Sequence, residues 1–183
     1  MKAMYVYTDG SAVSRGDNKG KGGFGTYFPN QFGKKRGFSL GFKNTKTGRM
    51  EVMALYYAIN KMPETCLYPV SLHIYSDSEY VIKSFTENRL ERWIKAGWRN
   101  TSGEVKNKDL WKLIVREINK KTYLKLEFHH IKSHQLEKEK DPIKRKELLK
   151  NPHIIGNAMA DTLADYKRHK KLLESDIINR SNI

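Results

Sequence analysis

The sequence predicts an α/β fold, a mixed β-sheet with helices packed on it. Three observations lead there. Short alternating apolar runs separated by glycine-rich turns occupy residues 1–42. Segments of helical periodicity then interleave with two further apolar runs, in the order βββαβα(α)αβα. A chain of 183 residues, 11% of them aromatic, can bury roughly 70% of its unfolded surface, enough for one core without a metal or disulfide staple.

Residues 4–11 alternate as a strand, with Tyr5 and Tyr7 against Val6 and Thr8. Residues 18–25 form a glycine-rich turn into a second strand over 24–29, and a third strand covers 36–42. Short loops join these three, which makes them an antiparallel meander. Residues 49–62 carry Met50, Met53, Ala54, Tyr57, Ala58 and Lys61 at helical spacing, and Pro63 stops the helix. A buried strand over 70–75 is followed by a short helix over 78–85. Residues 89–95 form a small helix and 107–119 a longer amphipathic one. Residues 123–131 alternate again, with Leu124, Leu126 and Phe128 on one face. Residues 135–152 are polar with a helical piece near 144–150, and 154–173 form the last helix. One domain over 1–174 and a C-terminal tail over 175–183 account for the length.

The charge narrows the partner. Lys and Arg number 35 against 20 Asp and Glu, a formal net charge of +15. Such a surplus points to a polyanion, most simply nucleic acid, with an anionic membrane surface as the weaker reading. Residues 15–49 hold nine basic side chains and one acid, interleaved with Phe24, Tyr27, Phe32, Phe38 and Phe42. Residues 88–108 hold six basic side chains and two acids, with Trp93 and Trp98. Basic groups hold phosphates, and flat rings pack on sugars or bases. Residues 135–152 are dense in charge but nearly balanced, six basic to four acidic, the pattern of a solvated face. A single cysteine, Cys66, excludes an internal disulfide framework and a Cys-rich zinc site. No run of about 18 apolar residues is present to span a membrane. The first residues reach an acid, Asp9, too early for a signal peptide. The expectation is an intracellular protein, cytoplasmic by default, acting away from membranes and monomeric by default.

Four acids stand at structurally meaningful places. Asp9 is late in the first strand, directly before Gly10, where strands disfavour Asp. Asp77 ends the fourth strand, and Glu51 is in the first turns of a helix. Asp161 lies among Ala158, Ala160 and Ala164, small residues that let a helix approach a sheet closely. If the first and fourth strands are neighbours, Asp9 and Asp77 meet. Converging acids repel each other unless a cation neutralises them. An all-oxygen set favours Mg²⁺ or Mn²⁺. Two such ions about 4 Å apart can activate a water and stabilise the leaving oxygen in phosphodiester cleavage. Each acid also has a plain alternative. Asp9 could turn the chain with Gly10, Asp77 could cap the helix at Ser78, and Glu51 and Asp161 could be solvated. Periodicity alone does not make the four converge.

Seven short motifs in order join them. They are Tyr7-Thr8-Asp9-Gly10-Ser11, the glycine-rich turn from Asn18 to Gly25, Arg49-Met50-Glu51-Val52-Met53-Ala54, and Tyr75-Ser76-Asp77-Ser78-Glu79-Tyr80-Val81. Next come Trp93-Ile94-Lys95-Ala96-Gly97-Trp98 with Asn107-Lys108-Asp109-Leu110-Trp111, then Ile131-Lys132-Ser133-His134, and finally Ile155-Gly156-Asn157-Ala158-Met159-Ala160-Asp161. Together they resemble a type 1 ribonuclease H. The resemblance implies an RNase H-like fold, a five-stranded mixed sheet flanked by helices on both faces. It implies hydrolysis of the RNA strand of an RNA–DNA hybrid, leaving 5′-phosphate and 3′-hydroxyl ends. It makes Asp9, Glu51, Asp77 and Asp161 catalytic, metal-binding carboxylates for two ions, Mg²⁺ with Mn²⁺ as a substitute, Asp9 bridging both.

The resemblance also implies a role for His134 in proton transfer or product departure. His153 is its rival, nearer Asp161 in sequence; His134 is preferred because Ser133-His134 follows the strand directly. Asn107 and Trp93 would contact the DNA strand, through phosphate hydrogen bonding and sugar packing. Lys95 and Arg99 would add charge, as would Arg89. Trp93 and Trp98 could equally pack the protrusion onto Leu90 and Ile94. Asn18 would sit near the minor groove, where the 2′-hydroxyl distinguishes RNA from DNA. Three places depart from the family pattern. Lys46-Thr47-Gly48 stands where amide side chains are common, Glu79 stands where bacterial members often have Gln, and residues 135–152 are inserted after the histidine. Two rival functions remain: a DNA resolvase or transposase-like nuclease of the same fold, and a non-catalytic nucleic-acid-binding module.

Overall fold

The chain, described over residues 1–174 and 176 of a computed structural model, folds in the element order β1 (Lys2–Ala12), β2 (Gly22–Gln31), β3 (Lys34–Phe42), α1 (Thr47–Asn60), β4 (Val70–Ser76), α2 (Glu79–Thr86), α3 (Arg89–Lys95), β5 (Arg99–Asn100), β6 (Gly103–Glu104), α4 (Lys108–Lys120), β7 (Leu124–His130), α5 (Gln135–Lys138), α6 (Pro142–Leu148) and α7 (Pro152–Ala164). The predicted tail, Asp176 apart, lies outside the described residues. β1 to β4 and β7 make a five-stranded sheet in the order β3-β2-β1-β4-β7, and β5 and β6 make a separate hairpin. β1 runs antiparallel to β2 and parallel to β4, so the sheet is mixed.

Strand alternation assigns the two faces. Met4, Val6, Leu72 and Ile74 are buried on the face covered by α1. That helix is apolar nearly all round, from Met50 through Ile59, because α4 covers its far side with Leu110, Trp111 and Ile114. The opposite face carries Tyr5, Tyr7 and Asp9 from β1, and α7 lies across it. α7 comes close because glycines lie beneath it. A methyl group on Gly25 would stand 2.0 Å from the Ala160 carbonyl oxygen, and one on Gly23 would stand 2.8 Å from that of Ala164. On the other face, Gly10 admits the backbone of Met50 and Glu51 in the same way.

The predicted strands and the first four predicted helices fall where the periodicity put them, to within two residues or so at their ends. The last helix does not run to residue 173. It starts earlier, at Pro152, because the Asn151 side chain accepts the His153 N–H at 2.9 Å. It ends at Ala164, because Asp165 is extended and its carboxylate accepts the Lys167 N–H instead. After a 3₁₀ turn over Tyr166–Arg168, Leu173 pairs beside β3, donating to Gly41 and accepting from Lys43. The helical piece expected near 144–150 forms at Pro142–Leu148, capped by Asp141. The β5–β6 hairpin was not legible, since its two-residue strands have no period to read.

A Gly25→Ala variant is expected to lose about 2 kcal/mol or more of stability, since the added methyl meets backbone that cannot yield without shifting α7. Urea unfolding measures this directly; an unchanged midpoint would show that α7 is not seated on Gly25.

Candidate active site

The parallel register of β1 and β4 pairs Tyr7 with Tyr75 and Thr8 with Ser76. The next residues on the two strands are Asp9 and Asp77, so the carboxylates emerge side by side at the strands' carboxyl ends. Such strand ends are where open α/β sheets place their sites. Asp9 also sits opposite Gly25 on β2. Because Ala160 rests on Gly25, α7 brings Asp161 close enough to Asp9 to raise its pKa. Glu51 reaches the cluster from α1, where Gly10 lets its backbone touch β1. Ser78, the N-cap of α2, donates to Glu51 Oε2 at 2.7 Å and fixes its direction. The helix-capping role first considered for Asp77 thus belongs to Ser78.

The electrostatics record the crowding. Burial, then the charge of Asp77 and the contact with Asp161, push Asp9 up to about 8. Burial raises Glu51, with Ser78 opposing and Asp77 adding to the shift. Burial also raises Asp77, with His134 opposing it and Asp161 adding to it. Among the described residues no Lys or Arg pairs with any of the four. Four carboxylates gathered with no Lys or Arg partner fit hard divalent ions.

His134 stands in the left-handed backbone region, φ 53°, at the start of α5. Its Nδ1 lies 3.0 Å from Glu137 Oε2 and 3.7 Å from Asp161 Oδ2. His153 is used elsewhere, meeting the Tyr7 hydroxyl at 2.9 Å and stacking on Tyr75. Glu137, in the inserted segment, and Ser78 were not singled out from sequence. Nothing local distinguishes them, because their partners are far along the chain or set by an αL turn. Asn157 was quoted only within a motif. It lies one turn before Asp161 on α7, with its side-chain oxygen buried and without a partner among the described residues.

The residues expected to bind substrate are more scattered. Asn18 holds Lys21 and borders an open cleft of about 800 Å³ that also meets His134 and Asp161. Asn107, also at positive φ, donates to the Gly48 carbonyl at 3.3 Å and so ties α4 to the start of α1. A second groove, about 1090 Å³, runs past Lys19, Lys46, Gly48, Lys106 and Asn107. Trp93 and Trp98 are half-buried. Trp93 packs toward Tyr80 and Trp111, and the Trp98 N–H donates to the Trp93 carbonyl at 2.7 Å. Both residues pack against the hydrophobic core while staying partly exposed, with Trp93 resting on Tyr80 and Trp111. Lys95 and Arg99, in the same stretch, are exposed. The insertion folds back on the site, its Gln135, Lys138, Glu139 and Leu148 lining a cleft with Asp77 and His130.

A mixed sheet with acids at the ends of a parallel strand pair, closed by an acid from a crossing helix, defines a hydrolase of the RNase H-like fold acting on nucleic acid. The sequence profile of RNase H matches residues 1–168, and the chain belongs to the RNase H family. It is 40% identical over 119 residues to the ribonuclease H of Lachnoclostridium phytofermentans, covering 62% of this chain and 72% of that one. It is 35% identical over 135 residues to the ribonuclease H of Chlorobaculum parvum, covering 73% and 84%. The solution structure of the RNase H domain of prototype foamy virus superposes with a TM-score of 0.60 at 26% identity, over 88% of this chain and 91% of that one.

A carboxyl that holds its proton more tightly folded than unfolded costs stability as pH rises between its ordinary and its raised value. For Asp9 that window runs from 3.8 to about 8. In EDTA, Asp9→Asn is therefore expected to gain thermal midpoint relative to the unsubstituted chain as pH rises from about 5 to 8. Parallel pH profiles would contradict the crowding of Asp9.

Proposed function

We propose that this chain cuts the RNA strand of RNA–DNA hybrids, leaving 5′-phosphate and 3′-hydroxyl ends, with two Mg²⁺ ions held by Asp9, Glu51, Asp77 and Asp161. The observation that carries this reading is the β1–β4 register, which sets Asp9 beside Asp77 while α7 lays Asp161 on Asp9. When bound, the ions activate a water and neutralise charge on the scissile phosphate and leaving oxygen. The chain's own groups do the rest. The carboxylates set where the ions and the phosphate meet. Ser78 holds Glu51 in line. His134, beside Asp161 and exposed to solvent, is placed to exchange a proton with the departing strand. The basic groove past Lys46 and Asn107 and the protrusion carrying Trp93, Lys95, Trp98 and Arg99 hold the DNA strand through its phosphates and sugars. Asn18 faces the RNA across the cleft that reaches His134.

The test is a labelled hybrid titrated with Mg²⁺. Asp77→Asn is expected to keep its circular dichroism and lose Mg²⁺-dependent cleavage; full activity would refute the site. His134→Ala is expected to lower kcat by about 100-fold with a smaller effect on KM. Equal cleavage of duplex DNA would favour a resolvase-like nuclease, and binding without cleavage at any metal concentration a non-catalytic module.

The inserted segment makes a separate prediction. Its charges are nearly balanced, so deleting it is expected to leave the salt dependence of hybrid affinity unchanged. A slope of log affinity against log salt reduced by about 1 or more would instead show phosphate contacts.

A further inference from the structure

The face of the sheet that carries Asp9 and Asp77 continues away from them as a row of aromatic and imidazole rings. The β4–β7 register sets His73 opposite Glu127 and Tyr75 opposite His129. Alternation puts His73, Glu127 and His129 on this one face. We propose that these three side chains form a second metal site, specific for a borderline transition-metal ion and in particular Zn²⁺. It is distinct from the carboxylate cluster, since His73 and Asp77 are four residues apart along one strand, roughly 13 Å.

The donor atoms are already gathered. His73 Nδ1 lies 3.0 Å from His129 Nε2 and 3.6 Å from Glu127 Oε2. All three atoms fall within 4.8 Å of one another. Zinc bonds of about 2.0–2.1 Å in a tetrahedron set donors roughly 3.3 Å apart, between the two spacings found here. Two imidazoles and a carboxylate suit zinc, and suit Mg²⁺ poorly.

The surroundings orient each ligand, as supporting contacts do in zinc sites. Ser71 Oγ donates to Glu127 Oε1 at 2.8 Å, leaving Oε2 turned toward His73. Lys125 also contacts Oε1, at 3.1 Å, from a side chain 63% exposed, so its charge is largely screened by solvent. Tyr5 stacks on His73 and Tyr75 on His129. His73 and Glu127 remain partly open, so water can complete the coordination.

The two rings meet nearly end to end and share one proton. Zn²⁺ takes the proton's place. The proton moves to the outer nitrogen of the ring that carries it, and a turn of each ring brings both lone pairs onto the ion. Bound there, zinc would tie the edge strand β7 to β4.

Calorimetric titration with Zn²⁺ in excess Mg²⁺ tests this, because Mg²⁺ then occupies the hard oxygen sites. The expected result is one Zn²⁺ per chain, and a thermal midpoint that rises with zinc. The His73→Gln/His129→Gln double variant is expected to abolish both effects. Glu127→Gln, which keeps the acceptor for Ser71, is expected to weaken binding at least about tenfold. His134→Ala, which alters the His134, Glu137 and Asp161 group, is expected to leave zinc binding intact. No zinc bound by the unsubstituted chain, undiminished binding in the double variant, or loss in His134→Ala alone would each overturn the proposal.

Discussion

Two carboxyl groups held side by side, which resist carrying charge together, are the constraint around which the rest of this molecule is arranged. Asp9 and Asp77 are neighbours because β1 and β4 pair in parallel with Thr8 against Ser76. Left alone, their repulsion and partial burial would drive the strand ends apart. The opposing term lies on the other face, where Val6, Leu72 and Ile74 are fully buried against α1. Register is tightly specified there, because a slip of one residue would turn those side chains outward and the acids inward. The core thus stores the cost of the site at a distance from it.

The same logic governs the two helices that complete the cluster. Each delivers its acid through a glycine in the sheet. Gly10 admits Glu51, and Gly25 admits Ala160 and hence Asp161. Neither glycine is at positive φ, so their use is close approach of backbones and not unusual backbone shape. The helix alanines serve the same contact from the other side.

Charge is divided across the molecule. A chain with a net charge of +15 keeps its centre acidic and its flanks basic. On the proposed function, the basic flanks would draw in a polyanion, and divalent cations would offset the repulsion between its phosphates and the acidic centre. The inserted segment belongs to this arrangement more closely than its balanced composition suggests. It adds little net charge, yet it brings Glu137 to His134 and lines the cleft beside Asp77. The imidazole row further along the sheet has softer donors and a different preference in metal.

Much of this was legible in the chain. Period-two and helical patterns located the strands and most helices, because burial on one face imposes them. The motifs around Asp9, Glu51, Asp77 and Asp161 named the acids, because residue type and strand-end position are local properties. Where local signals compete, reading failed: Asp165 ends α7 nine residues before the expected boundary at 173, since an extended acid can cap a new turn as readily as continue a helix. The sequence by itself therefore determined the fold class, the chemistry of the donors and the basic surplus of the chain. Only the tertiary structure decided that the four acids converge on one end of the sheet, that Ser78 holds Glu51 and Glu137 pairs with His134, and that His73, Glu127 and His129 share a face. Those facts depend on strand register and on helix-to-sheet distance, which arise from contacts between residues far apart in the chain.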